Sequence, residues 1–287
     1  MELALAQLRI EAGDIAGNTE RALAAIEDAA AAGADLVCLP EMFTVGYFAF
    51  DAYERHAESL AGSTLGAVAD AAAEQAVAVL AGSIVEDLAA SAADGLATPA
   101  ESGLANTSVL FDRSGERLAV YRKHHLFGYD SAEADLLVPG ESLGVAEVGG
   151  FTVGMTTCYD LRFPELYRDL AGAGATLILV PSAWPYPRVE HWQLLPRARA
   201  IENQLFVATC NGSGVFESEA SADASEAASG DAPRADTALC GRSTAYDPWG
   251  DVLAETDDTP AIVTADIDPG RVETVREAFP AWRDRRR

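Results

Sequence analysis

Short apolar runs alternate along this chain with segments in which apolar residues recur every three or four positions. Leu3 to Leu8 has the pattern of a buried strand. Thr19 to about Ala32 has the helical period, apolar at Leu23, Ala24, Ile26 and Ala30, with Asn18 placed to cap it and Gly33 to end it. Leu36 to Leu39 is a short buried strand that stops at Pro40-Glu41, and Met42 to Phe50 reads as an aromatic loop. A second helix is predicted over 64–75 and a third strand over 77–85. Thr107 to Asp112 and Arg117 to Tyr121 predict a hairpin around Arg113-Ser114-Gly115. Strands follow at 143–148 and 151–157, then a helix at 163–173 with Pro164 in its first turn. Another strand (176–180), a helix (189–203) and a strand (205–209) come next. Strands at 238–246, 252–255 and 261–267 and a short helix to about Ala278 close the chain; Asp247-Pro248-Trp249-Gly250 turns between the first two. Strands alternating with helices predict an α/β fold.

Composition adds bounds. In 287 residues with 49% apolar content there is material for one large core, and no boundary favours two domains. Residues 87–104, rich in Ala, Ser and Gly, read as a surface loop, and Gly128 to Gly140 as a loop holding Glu133. Residues 217–236 hold six acids, one arginine and almost nothing to bury; they predict a mobile loop, with a lid as the alternative. The net charge of −25 argues against nucleic-acid partners and anionic membranes. Four cysteines without a CxxC pair predict a reduced cytoplasmic protein, not a disulfide framework or a zinc site. No basic leader and no run of transmembrane length is apparent, so a soluble, untargeted protein is expected. Lys123 is the only lysine among 20 basic residues. An acidic, lysine-poor surface resembles proteins of salt-loving archaea; a GC-rich genome gives the same bias toward Arg and Ala.

The candidate chemistry centres on Cys158, at the turn between the strand at 151–157 and the helix after it. Such a turn leaves backbone N–H groups that can lower a thiol pKa and bind an oxyanion. Taken alone, Cys158 reads equally as a small buried hydrophobe. Glu41 and Lys123 also follow apolar strands and open loops. A thiol nucleophile, a carboxylate base and a cation for a developing oxyanion suffice for acyl transfer. Periodicity alone does not single out these three.

Three blocks do. Leu39-Pro40-Glu41, Tyr121-Arg122-Lys123-His124-His125-Leu126-Phe127 and Cys158-Tyr159-Asp160-Leu161-Arg162-Phe163-Pro164-Glu165-Leu166 resemble, in order, the signature blocks of the nitrilase (carbon–nitrogen hydrolase) superfamily. Glu133, six residues before Pro139-Gly140, resembles that family's second glutamate. The resemblance runs through His191-Trp192, Arg199 to Gln204, Gly241-Arg242-Ser243 and Pro248-Trp249-Gly250, with the two long loops as departures. It implies a four-layer αββα sandwich, a homodimer or larger assembly, and a cysteine acyl-enzyme mechanism without metal or cofactor. Cys158 would attack an amide carbonyl, and Glu41 would pass the thiol proton to leaving ammonia. Lys123 and the Tyr159 backbone N–H would hold the oxyanion, and Glu133 would orient Lys123 and the substrate. Arg162 either binds a substrate carboxylate or pairs with Asp160 or Glu165. Tyr47 and Trp184 either line the pocket or belong to the core. Ser182 to Arg188 and Phe279-Pro280-Ala281-Trp282 are similar to the ω-amidase branch, which hydrolyses the terminal amide of 2-oxoglutaramate or 2-oxosuccinamate. The resemblance thus implies a small carboxylate amide as substrate. An N-carbamoyl amine hydrolase is the alternative, ahead of a nitrilase. A non-catalytic scaffold would be marked by loss of a catalytic residue, and none is lost.

Overall fold

In strands β1 (Glu2–Gln7), β2 (Leu36–Cys38) and β3 (Ala78–Asp87), neighbouring side chains enter different cores. Leu3, Leu5, Leu36, Cys38, Ala78 and Leu80 face one core, and Ala4, Ala6, Val37, Val79 and Ala81 the other. Successive side chains of a strand point to opposite faces, so both faces of this sheet are covered. The computed structural model describes residues 1–128, 131–186, 188–215 and 238–286. The acidic insert at 217–236, whether loop or lid, lies outside the described residues.

The first sheet also contains β4 (Leu104–Phe111), β5 (Arg117–Arg122) and β14 (Ala261–Asp266), in the order β14-β1-β2-β3-β4-β5, with β1, β2 and β3 parallel. The second contains β6 (Gly144–Val148), β7 (Phe151–Met155), β8 (Leu177–Ser182), β9 (Phe206–Asn211), β12 (Thr244–Tyr246) and β13 (Val252–Glu255). Its order is β13-β12-β9-β8-β7-β6, with β7, β8 and β9 parallel. A small ribbon pairs β10 (Ser213–Val215) with β11 (Ala238–Cys240). The sheets face each other, β1 over β9 and β3 over β8. The Cys210 thiol crosses between them to the Cys38 carbonyl at 3.0 Å. Helices Ile15–Ala31 and Ser63–Gln75 cover the outer face of the first sheet, and Pro164–Gly172 and Val189–Asn203 that of the second. The layers are therefore α, β, β, α, the sandwich expected.

Local departures have local causes. The first helix begins at Ile15 because Asp14 caps it first, accepting from Gly17 N–H at 3.1 Å. Asn18 instead lies buried within the helix and donates to the carbonyls of Glu11 and Thr44, both at 2.6 Å. The loop expected at 87–104 contains a helix, Leu88–Ala93, capped by Asp87. The loop around Glu133 contains one helical turn, Glu133–Leu136. The strand expected over 238–246 is broken into β11 and β12, because Gly241 and Arg242 both adopt left-handed backbone (φ 60° and 53°). Among the described residues no helix is long and apolar enough to cross a membrane.

Candidate active site

Glu41 reaches the interior because the chain leaving β2 passes very close to β3. A Cβ on Gly82 would stand 1.9 Å from the Pro40 carbonyl oxygen, so only glycine fits there. The β3–β4 register slips at the same place, between Ala81 and Ile84, and the Ser83 hydroxyl accepts from Met42 N–H at 2.9 Å. The Glu41 side chain is left with 0% exposure.

Lys123 follows directly on β5, held by a bond from its N–H to the Asn106 carbonyl at 2.9 Å. Alternation puts Arg122 on the other face, where its guanidinium grips the buried Glu86 carboxylate at 2.6 and 2.8 Å. Cys158 opens the 3₁₀ turn Cys158–Arg162 in left-handed backbone, φ 47°, an uncommon conformation for a non-glycine residue. A capping box between Thr157 and Asp160 holds the turn. Asp160 is fixed in turn by Tyr121 OH (2.6 Å), His125 N–H (3.0 Å) and the His125 ring nitrogen Nδ1 (2.8 Å). The first N–H groups of such a turn have no acceptor one turn back, and that of Tyr159 is among them.

The groups converge in a closed network. Lys123 Nζ donates to Glu41 Oε1 at 2.9 Å and to Glu133 Oε1 at 2.7 Å. Asn106 Nδ2 donates to the same two oxygens, at 2.8 and 3.3 Å. Glu133 Oε2 accepts from Phe127 N–H at 2.7 Å and Tyr47 OH at 3.1 Å. Glu41 Oε2 accepts from Ala183 N–H at 2.8 Å. Burial pushes the Lys123 ammonium down, but Glu133 and then Glu41 outweigh it and hold it well above its usual range. Burial, and then Glu41, push the Cys158 thiol well above its ordinary value, with Lys123 opposing. The turn does offer N–H groups, but the thiol is buried beside a carboxylate, and the nearby cation is shared between two glutamates. Burial and Glu133 also raise Tyr47, so its hydroxyl stays a neutral donor.

Lys123 and Cys158 border a cavity of about 250 Å³, also lined by Tyr47, Trp184, Arg162 and Arg188. Tyr47 and Trp184 belong to both the core and this wall, at 7% and 2% exposure. The Tyr159 ring, another part of the wall, meets Phe127 edge-on at 5.0 Å. Arg162 pairs with neither Asp160 nor Glu165. Asp160 is occupied by Tyr121, His125 and Thr157, and Arg162 lies over the Trp184 ring at 4.9 Å, with both Nη atoms 3.4 Å from His191 Nδ1. Burial, with Arg188 adding to it, holds the Arg162 guanidinium below its usual range. The structure adds three groups that sequence reasoning missed: Asn106, the Ala183 N–H and Arg188. Asn106 had a signal, since Asn106-Thr107-Ser108 is a polar triplet inside an apolar strand, and all three are buried. Among the described residues no cluster of three or more His, Cys, Asp or Glu is placed to hold a metal ion.

Comparisons with known proteins agree with this geometry. The family model for carbon-nitrogen hydrolases matches residues 2–277. A 2-oxoglutaramate amidase of Paenarthrobacter nicotinovorans is 35% identical over 257 residues, covering 88% of this chain and 79% of the relative. The crystal structure of Saccharomyces cerevisiae Nit3, a member of branch 10 of the nitrilase superfamily, superposes with a TM-score of 0.82 at 28% identity, covering 100% of this chain and 97% of that one. A mutant of an amidase from Nesterenkonia, showing the result of Michael addition of acrylamide at its active-site cysteine, gives 0.77 at 26% identity, covering 98% and 99%.

Proposed function

The chain belongs to the carbon–nitrogen hydrolase family and is an amide hydrolase; on that premise we propose that Cys158 cleaves the terminal amide of a small 2-oxo dicarboxylic acid, 2-oxoglutaramate or 2-oxosuccinamate. The products are the acid and ammonia. One observation carries the choice of substrate. Arg162 lines the same cavity as Cys158 and, among the described residues, has no carboxylate within 4 Å, so it can receive the substrate's own carboxylate.

The chemistry follows from the network. The thiol is neutral at rest, so its proton leaves as the sulfur–carbon bond forms. Glu41 Oε1 is already engaged by Lys123 and Asn106, whereas Oε2 accepts one bond, from the Ala183 N–H, among the described residues, and the Cys158 thiol lies within hydrogen-bonding reach of Glu41. Oε2 is therefore the atom that takes the proton. Lys123 Nζ and the Tyr159 N–H stabilise the negative oxygen of the tetrahedral intermediate. Glu41 returns the proton to the amide nitrogen, the carbon–nitrogen bond breaks, ammonia leaves and a Cys158 thioester remains. Water, losing a proton to Glu41, attacks the thioester; the acid departs and the thiol regains its proton. Glu133, braced by the Phe127 N–H and Tyr47, holds Lys123 in place throughout.

The same proposal includes a cytoplasmic homodimer. Four free cysteines suit a reducing compartment. Leu194 and Ile201, 64% and 49% exposed, share one face of helix Val189–Asn203. The Gly250 turn packs against Ile201, and beside it Trp249 and Phe279 are 49% and 56% exposed. Apolar side chains grouped in this way favour a partner surface over water, and light scattering at micromolar protein checks the mass. The substrate proposal is tested by ammonia release in high salt from oxo-acid amides, carbamoyl amines and nitriles. The expected result is fastest turnover of an oxo-acid amide without carbon dioxide. Carbon dioxide release from a preferred carbamoyl amine, or preference for a nitrile, overturns it.

A further inference from the structure

Two guanidinium groups, Arg162 and Arg188, line the cavity around Cys158, and among the described residues no aspartate or glutamate lines it. Glu41 and Glu133 are wholly buried and committed to Lys123. Neither arginine has a carboxylate within 4 Å among the described residues. Other described arginines also lack a carboxylate partner, but these two share one cavity with Cys158. Arg188 is also anchored. It forms the N-cap of helix Val189–Asn203, its carbonyl accepts from Trp184 Nε1 at 2.8 Å, and its guanidinium lies over the Phe127 ring at 5.7 Å. Two like charges without a counterion among the described residues make a site that gains from an anionic or electron-rich ligand.

One carboxylate is satisfied by one guanidinium in a bidentate pair, which leaves the second arginine for another acceptor. In a 2-oxo acid the neighbouring acceptor is the keto oxygen. We infer that Arg188 is a specificity-determining residue that receives the 2-oxo oxygen while Arg162 receives the adjacent carboxylate, so that the pocket takes 2-oxo-acid amides and turns away 2-amino-acid amides of the same length. This inference rests on the ω-amide reading of the Cys158 pocket. A 2-ammonium group has three N–H donors and nothing with which to accept from arginine. In this pocket it meets cations and hydroxyls, and among the described residues no carboxylate lines the wall to balance it. Placing like charges together in a desolvated site costs about 10²-fold or more in affinity.

Three substrates of equal length separate the contributions: 2-oxoglutaramate, the unsubstituted glutaric acid monoamide, and L-glutamine. The unmodified protein is expected to prefer the oxo acid over glutamine by about 10²-fold or more in kcat/KM. Arg188→Gln is expected to lower kcat/KM for the oxo acid by about tenfold or more, chiefly through KM, and to leave the unsubstituted monoamide within about threefold. The ratio of oxo acid to glutamine should then fall at least about tenfold. An equal loss on all three substrates, or an unchanged ratio, overturns the inference. Product analogues give the same comparison without a substitution. Inhibition of the unmodified protein should weaken in the order 2-oxoglutarate, glutarate, glutamate, and glutamate binding as tightly as glutarate contradicts it. If the unmodified protein turns over 2-oxoglutaramate but the ratio is unmoved, this inference alone fails; if it turns over none of the three, the ω-amide reading fails with it.

Discussion

Replacing Lys123 with arginine keeps the charge and changes only its shape. The Lys123 ammonium is 1% exposed and sits between two carboxylate oxygens at 2.9 and 2.7 Å, and Asn106 donates to the same pair. A guanidinium brings a planar fork into a space fitted to a single nitrogen. It can still bridge Glu41 and Glu133, but its broad face points toward the position of the reacting carbonyl. Two costs follow. Crowding a larger head group between the two buried carboxylates costs about 1–3 kcal/mol of stability. Displacing one oxyanion donor costs about 10²–10³-fold in kcat. Lys123→Met provides the contrast, because it strands two buried carboxylates and should cost about 3–5 kcal/mol, more than the arginine variant. Turnover on the best amide is measured alongside thermal unfolding. The expected result for Lys123→Arg is a folded protein, slightly destabilised, with kcat down by about 10²-fold or more. A folded Lys123→Arg protein with turnover within about threefold of the original would refute the placement of Lys123 at the oxyanion.

Three further outcomes are expected. Asn106→Ala removes a donor shared by the Glu41 and Glu133 oxygens; kcat should fall by about tenfold or more at nearly constant KM, and an unchanged kcat contradicts the role given to Asn106. Burial raises the thiols of Cys38 and Cys158 well above their ordinary value near 9.0, and that of Cys240 to about 12. The folded state therefore keeps protons that the unfolded chain releases, and its stability is full below pH 9 and lost as pH climbs toward 12; a melting temperature flat across that window contradicts the assignment. With a net charge of −25, the melting temperature should rise on going to molar salt, where the Debye length is about 3 Å; no change sinks the halophilic reading.

The α/β class was legible from strands alternating with helices, and the four layers only through the resemblance of the motif blocks; that Leu3 and Leu5 enter one core and Ala4 and Ala6 the other is seen in the structure, because all four are apolar. Glu41, Lys123, Glu133 and Cys158 were legible through the motif blocks, not through any period, and the structure brings them together from three strand ends and one helical turn. What stayed hidden depends on which groups lie opposite. The raised Cys158 thiol follows from its burial and then from Glu41 beside it, and nothing in Cys158-Tyr159-Asp160 shows that. Asp160 looked available to Arg162, but Tyr121 and His125 come from a distant strand end to occupy it. The break between β11 and β12 depends on left-handed backbone at Arg242, a residue type that gives no local warning.

The central claim is that amide cleavage runs through a thioester on Cys158. The direct measurement is acid quench during turnover of the best amide, followed by peptide mass spectrometry. The expected result is the acyl mass on the peptide containing Cys158, absent from the Cys158→Ala protein, which should fold and show no turnover. Acyl mass on Cys38, Cys210 or Cys240, or turnover retained by Cys158→Ala, would contradict it.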